Sequence, residues 1–405
     1  MTRFVKLLFA VALSALLVVA ASATAPSLVS ESAVLIDADS GQVLYEKDMH
    51  RQMYPASITK ILTVITGLEK LSMAEKMTMS HYAVFSLPVG SSHIALDEGE
   101  EITMEHAVYA ALLMSANDAC NGIAEKAAGS IDAFTVMMND TARRAGAKNS
   151  NFVNAHGLSD ENHYTTAYDM AMICRYALQN ETFRKVFGTY KYIMPPNNKQ
   201  PESRTFINQH LMVSDPSLKY DGILGGKAGW TSVSKCTLVT AAERDGKTLI
   251  AVVMKCVKDA DKYADTKALL DYGFSEFDTV EITTRDLPKR MGYTLDKPIQ
   301  LRVKKGTVKE DLAITTLMED GVDYISVSLI GGDELGRFPC TVAIDASVPS
   351  TPQEKKGGNP ILFALMAVGI LLLALILLFA LFVLYIAIRK KIVRARRRRR
   401  RRRRY

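Results

Sequence analysis

Ser57 and Lys60 form the pattern Ser-x-x-Lys at the predicted start of a helix. Residues three apart share one face of a helix, so the lysine amine can reach the serine hydroxyl. That hydroxyl needs a base beside it, and a lysine serves when burial or nearby cations lower its pKa. The helix N-terminus also directs N–H groups at an oxyanion. Taken alone, Ser57 is more typical of a helix N-cap. The pattern recurs at Ser232-Val-Ser-Lys235, in a predicted strand where the geometry fails.

A second pair, Ser115 and Asn117, falls in an interruption between two predicted helices. A serine there can relay a proton, and an asparagine can hold a substrate amide. Taken alone, the same residues are more typical of caps in a helix-to-helix turn.

A third pair, Lys227 and Gly229, lies on a predicted edge strand and is followed by Trp230. A lysine suits recognition of a carboxylate, and a glycine lets the backbone approach a ligand closely. The alternative is an ordinary solvated lysine on a sheet edge.

The three patterns in this order are more specific than any one of them alone. Ser-x-x-Lys, Ser-x-Asn and Lys-x-Gly in this order resemble the penicillin-recognising serine acyltransferases. The surrounding sequence is similar to the D-alanyl-D-alanine carboxypeptidase family from about residue 32 to 277. The segments that carry this likeness are 33–47, 113–119, 152–158 and 163–171.

This resemblance implies a serine DD-peptidase with a penicillin-binding, β-lactamase-like transpeptidase domain. Ser57 would attack the carbonyl between the two terminal D-alanines of a peptidoglycan stem peptide. Lys60 would act as base, and Ser115 would pass the proton to the leaving amine. Water would then release the acyl-enzyme. The resemblance also implies β-lactam antibiotics as covalent inhibitors, and neither a metal nor a cofactor.

The resemblance assigns the remaining motif residues to substrate binding. The N–H groups of Ser57 and Trp230 would form the oxyanion hole, with Gly229 beside them. Asn117 would hold the peptide amide, and Lys227 would attract the terminal carboxylate.

Ala228 departs from the family pattern, which usually has Thr or Ser in this place. Thr231 is a poor replacement because it is expected on the opposite face of the strand. One alternative is therefore a catalytically impaired protein that binds peptidoglycan. A β-lactamase is a further alternative, although no Glu-x-x-Leu-Asn segment is evident. His156 and His163 are expected to build the wall of the site rather than to catalyse.

The element order predicts an α+β fold. Short strands at 33–37 and 43–47 precede a helix over residues 57–70. Residues 104–180 are mostly helical in pattern, and strands return from 222 to 257. This order predicts an antiparallel sheet whose N-terminal hairpin joins the C-terminal strands, with a block of helices. We predict a peptidase domain over 26–275 and a small all-β domain over 276–349.

Both ends of the chain indicate export and anchoring. Residues 1–25 are typical of a signal peptide. After a linker at 350–360, residues 361–388 are uncharged and long enough to form a transmembrane helix. The tail 389–405 carries thirteen basic residues, which predicts a cytoplasmic C-terminus with the body outside the plasma membrane. The tail either binds anionic lipid or serves only as a stop-transfer flank.

The net charge of +7 belongs to the ends of the chain. Without the tail, Arg3 and Lys6, the remaining body is acidic, which argues against nucleic-acid binding by the folded domains.

Five cysteines without a Cys-x-x-Cys pattern argue against a disulfide framework or a zinc site. Asp245-Gly246 predicts a two-residue hairpin turn. Simple pairing from that turn places Cys236 opposite Lys255, one residue short of Cys256. A disulfide would therefore need a bulge or a register slip, so two buried free thiols are expected.

Overall fold

The computed structural model describes residues 24–287, 292–319 and 321–342. These residues contain sixteen strands: β1 Ser32–Asp37, β2 Val43–Lys47, β3 Lys76–Thr78, β4 Glu101–Thr103, β5 Lys191–Met194, β6 Arg204–Ile207, β7 Ile223–Thr231, β8 Lys235–Arg244, β9 Lys247–Cys256, β10 Phe277–Ile282, β11 Tyr293–Thr294, β12 Ile299–Lys304, β13 Leu312–Glu319, β14 Val322–Leu329, β15 Glu334–Pro339 and β16 Thr341–Val342.

Helices fill most of the chain between β2 and β7. Within the described ranges the α-helices are α1 Lys60–Leu68, α2 His81–Phe85, α3 Met104–Leu113, α4 Asn117–Ala128, α5 Ile131–Arg144, α6 Ala167–Ala177, α7 Glu181–Phe187, α8 Leu211–Ser214 and α9 Asp259–Glu276. Short 3₁₀ helices cover Ala56–Thr59, Thr284–Asp286 and Lys309–Asp311.

The central sheet has five antiparallel strands in the order β2-β1-β9-β8-β7. The N-terminal hairpin therefore joins the later strands, as the element order predicts. Asp245 and Gly246 both have positive φ, 50° and 72°, which is the conformation of the predicted two-residue turn. Because β7 is the last strand of this order, the Lys-x-Gly pattern lies at a sheet edge.

The sheet is buried on both faces, and β9 shows why. Ile250, Val252 and Met254 pack into one hydrophobic cluster with the helical block, whereas Ala251 and Val253 pack into a second cluster with α9. This is the two-residue period of a strand covered on both sides.

Helix α9 is absent from the elements that we predict from the sequence. Its buried residues, among them Tyr263, Thr266, Leu269, Leu270 and Gly273, recur at the three-to-four spacing of an amphipathic helix. That spacing was available in the sequence and could have identified the helix.

The strands β10–β16 have a hydrophobic cluster of their own, which includes Leu301, Val303, Ile325 and Val327. A buried ion pair joins these strands to the central sheet: Arg302 Nε lies 2.6 Å from Asp37 Oδ2, and both side chains are almost fully buried. The side chain of Gln42 also exchanges two hydrogen bonds with the backbone of Arg302. The predicted domain boundary at residue 276 stays a prediction.

Most of the predicted signal peptide, the linker, the apolar stretch 361–388 and the basic tail lie outside the described residues. In the part of the chain that is described, every helix is too short or too polar to cross a bilayer.

Candidate active site

Ser57 and Lys60 occupy one sharp turn. Ala56 takes a left-handed conformation with φ of 52°, which is rare for a residue with a side chain. Ser57 follows in the 3₁₀ helix, and Lys60 begins α1. The Lys60 Nζ lies 2.9 Å from the Ser57 Oγ. The predicted contact between amine and hydroxyl is therefore present.

Burial prepares Lys60 to act as a base. Its side chain is fully buried, and this burial lowers its pKa to about 8, although Cys120 and Asp118 act in the opposite direction. Its amine also donates to the backbone oxygen of His156 at 2.6 Å. A lysine with this pKa is neutral in a useful fraction of molecules near neutral pH.

Ser115 and Asn117 lie in the predicted break between helices α3 and α4. Ser115 has a φ of 59°, so a second backbone strain occurs at a motif residue. The N–H of Asn117 donates to Ser92, while its side-chain Oδ1 is buried without a hydrogen-bond partner. Because buried acceptors are normally hydrogen-bonded, this oxygen is suited to accept a hydrogen bond from a ligand, such as the N–H of a bound peptide.

Lys227 is a buried lysine, so the interpretation of a solvated edge residue is wrong. Its side chain is 1% exposed, and its Nζ donates to the carbonyl of Ala228 at 2.8 Å. Burial, and then the neighbouring charge of Lys60, hold its pKa well below the usual lysine value. A carboxylate that entered the site would supply the anion that Lys227 lacks.

Gly229 lets β7 press against the Ser57 turn. A β-carbon at this position would lie 2.7 Å from the Ser57 backbone nitrogen, which is too close for any other residue. The N–H groups of Ser57 and Trp230 therefore belong to two adjoining segments. The Trp230 side chain is exposed.

The second Ser-x-x-Lys match is not a site. Ser232 lies in the exposed turn between β7 and β8, rather than in the predicted strand, and Lys235 begins β8. Neither position offers the helical geometry of Ser57 and Lys60.

His156 and His163 both contact the Ser57 turn. The N–H of Val153 donates to His163 Nδ1, so His163 Nε2 carries the proton and donates to Thr59 at 2.9 Å. Burial lowers the pKa of His156 to about 3 and that of His163 to about 4. Both rings are therefore neutral near pH 7, and their role in the wall of the site stays a prediction.

Two residues that the sequence analysis did not select hold the motifs in position. Asp118 is buried and accepts the N–H groups of Ile94 and Leu96, which fixes a loop beside Asn117. The hydroxyl of Thr237 donates to the backbone oxygen of Pro55 at 2.9 Å, which ties β8 to the Ser57 turn. Asp118 directly follows the Ser-x-Asn pattern, whereas Thr237 has no local signal.

Thr231 does not offer a free hydroxyl in place of the one that Ala228 lacks. Thr231 exchanges hydrogen bonds with Ser234 and accepts one from Ser159, so its side chain is already engaged. Ala228 itself pairs with Leu238 and packs beside the cluster under α9.

Among the described residues, no group of His, Cys, Asp and Glu side chains is arranged to hold a metal ion.

Comparisons with known proteins identify the family of this chain. A family model described as D-alanyl-D-alanine carboxypeptidase matches residues 19–258. The chain is 32% identical over 349 residues to D-alanyl-D-alanine carboxypeptidase DacF of Bacillus subtilis, covering 81% of this chain and 87% of that protein. It is 30% identical over 309 residues to DacA of Escherichia coli K12, covering 70% of this chain and 73% of that protein.

Solved structures share the fold. Penicillin binding protein 5 from Haemophilus influenzae aligns with a TM-score of 0.67 at 23% identity, covering 79% of this chain and 98% of that one. The DD-transpeptidase of Streptomyces K15 aligns with a TM-score of 0.58 at 27% identity, covering 62% of this chain and 99% of that one. The predicted penicillin-binding, transpeptidase-like α+β fold is thus confirmed. All seven predicted site residues lie within the stretch that the family model matches.

Proposed function

The chain belongs to the D-alanyl-D-alanine carboxypeptidase family of serine-type enzymes, and on that premise we propose that it removes the terminal D-alanine of peptidoglycan stem peptides through an acyl-enzyme on Ser57. The contact between Lys60 Nζ and Ser57 Oγ carries this proposal. Neutral Lys60 takes the hydroxyl proton as Ser57 attacks the carbonyl between the two D-alanines.

The remaining motif residues complete the proposed reaction. Ser115 passes the proton to the leaving D-alanine amine. The N–H groups of Ser57 and Trp230 stabilise the tetrahedral oxyanion, and single donors of this type are typically worth about 3–4 kcal/mol. The free amide oxygen of Asn117 accepts a peptide N–H, and Lys227 attracts the terminal carboxylate. Water then releases the acyl group from Ser57.

The proposal also places the enzyme at the outer face of the plasma membrane. It rests on the signal-like residues 1–25, the apolar stretch 361–388 and the basic tail beyond it. Peptidoglycan is then accessible to the body of the protein, and the tail faces anionic lipid on the cytoplasmic side.

Labelling of the full-length protein with a fluorescent penicillin tests the nucleophile. We expect a covalent band that disappears in Ser57→Ala and persists in Ser232→Ala, which alters the serine of the second Ser-x-x-Lys match. Release of D-alanine from a D-Ala-D-Ala peptide should follow the same order. Equal labelling of Ser57→Ala, in protein shown to be folded by thermal unfolding, would rule out Ser57 as the acylated residue.

Ala228 supports a second candidate, an impaired relative that binds peptidoglycan with little turnover. A hydroxyl at this position would add a charge-assisted hydrogen bond to the substrate carboxylate, so we expect Ala228→Thr to raise hydrolysis by about ten- to a hundred-fold. The measurement is kcat/KM for D-alanine release. An unchanged value would mean that another group already performs this role, and would remove the argument for impairment.

A further inference from the structure

Cys236 and Cys256 face each other across two central strands. The simple register from the Asp245-Gly246 turn would place Cys236 opposite Lys255, and that prediction is wrong. The register shifts between Cys236 and Leu238, and Cys236 pairs directly with Cys256. Lys255 accounts for the shift because it takes a left-handed conformation with φ of 61°, as an inserted residue does in a β-bulge.

The bulge provides the geometry that a cross-strand disulfide needs. Directly opposed residues of antiparallel strands have α-carbons about 4.5–5.5 Å apart, within the range of about 4.4–6.8 Å found for disulfides. Both thiols are free and buried, and both side chains belong to the hydrophobic cluster under α9. They therefore leave the sheet on the same face.

We propose that Cys236 and Cys256 are a paired oxidation site that forms an intramolecular disulfide with a disulfide-bearing small molecule as oxidant. Deprotonated Cys236 attacks one sulfur of the oxidant and expels the first thiol. Deprotonated Cys256 then attacks Cys236 Sγ and expels the second. Two electrons pass from the cysteines to the oxidant, whose disulfide becomes two thiols that carry the two released protons.

This bond would join the strands directly behind the Ser57 turn. Cys236 is opposite Trp230 on β7, and its neighbour Thr237 holds the Pro55 carbonyl. The closed loop would contain about 20 residues, so the oxidised form should melt about 5 °C or more above the reduced form. Burial raises the pKa of Cys236, and that of Cys256 to about 12. Oxidation therefore requires that the thiols become exposed, either when the strands open transiently or before they have paired during folding.

A peptide map of the full-length protein tests the bond without reference to activity, so its outcome is separate from that of the proposed function. The chain is incubated with oxidised glutathione, or with dithiothreitol, in urea just below the unfolding midpoint. It is then alkylated with N-ethylmaleimide in guanidinium chloride and digested with trypsin. Cleavage after Lys235, Arg244, Lys255 and Lys258 yields Cys236 and Cys256 on two separate peptides.

We expect these two peptides to be disulfide-linked after oxidation and separate after reduction. The link should be absent in Cys256→Ser and present in Cys340→Ser, which alters a cysteine of the C-terminal strands. If Cys256→Ser does not fold, the oxidised and reduced wild-type samples still decide the result. Digests in which both cysteines carry glutathione or N-ethylmaleimide, or in which Cys236 is linked to another cysteine, would overturn the proposal.

Discussion

Two regions of the molecule bury positive charge in opposite ways. At the junction between the central sheet and the C-terminal strands, Arg302 is paired with Asp37 at 2.6 Å and is further held by Gln42 and Thr279. In the active site, Lys60 and Lys227 are equally buried, but neither has an ion-pair partner among the described residues. Their amines contact a serine hydroxyl and two backbone carbonyls instead.

The contrast between Arg302 and the two lysines shows two different consequences of burying a basic side chain. A guanidinium remains charged in proteins, so its burial is costly unless an anion beside it offsets the lost hydration. A lysine can lose its proton instead, and burial lowers the pKa of Lys60 to about 8. The junction therefore fixes two parts of the protein together, whereas the candidate active site holds two buried lysines that have no anionic partner among the described residues.

The largest expected effect is the loss of acylation rate in the variant Lys60→Met. This change removes the proposed base but leaves no opposite charge unpaired. We expect the rate of acylation by fluorescent penicillin to fall by about 10²–10⁴-fold, with much less loss of stability than the same change at Arg302. Stopped-time labelling and urea unfolding measure the two quantities. Retention of more than a tenth of the acylation rate would contradict the assigned role.

At the junction the effect is on stability. Arg302→Met leaves Asp37 buried without its partner, so we expect a loss of about 3–5 kcal/mol in the free energy of unfolding. The matched control is Arg337→Met, which breaks only exposed pairs with Glu334 and Glu319 and should have little effect. Urea unfolding measures both. Equal losses of unfolding free energy in the two variants would show that burial of the Arg302–Asp37 pair does not determine its contribution to stability.

The pH dependence of acylation is the smallest expected effect, and it tests whether Lys60, unlike Arg302, loses its proton. The base form of Lys60 is neutral, so its population rises with pH through the lowered pKa of about 8. The neutral fraction increases from about a tenth at pH 7 to about nine tenths at pH 9. We expect acylation to rise about ten-fold over this range and then level off. A lysine with an ordinary pKa would instead give a rate that still rises steeply above pH 9.

The candidate site residues could be selected from the sequence because their spacing is local or their order is distinctive. The three-residue interval between Ser57 and Lys60 is enough to predict their contact. Asp118 was not selected although it directly follows the Ser-x-Asn pattern. Thr237 could not be selected in this way, because its partner Pro55 is distant in the chain. The joining of the N-terminal hairpin to the C-terminal strands could also be predicted, whereas α9 was missed despite a regular apolar spacing.

By itself, the sequence determined the types and order of the motif residues, the α+β arrangement and the turn at Asp245-Gly246, since these follow from local spacing and backbone preference. Only the tertiary structure decided that Lys227 is buried, that Asn117 has a free acceptor and that Cys236 faces Cys256. Burial depends on what packs from elsewhere in the chain. Strand register depends on a single left-handed residue, Lys255, whose bulge no alternating pattern reveals.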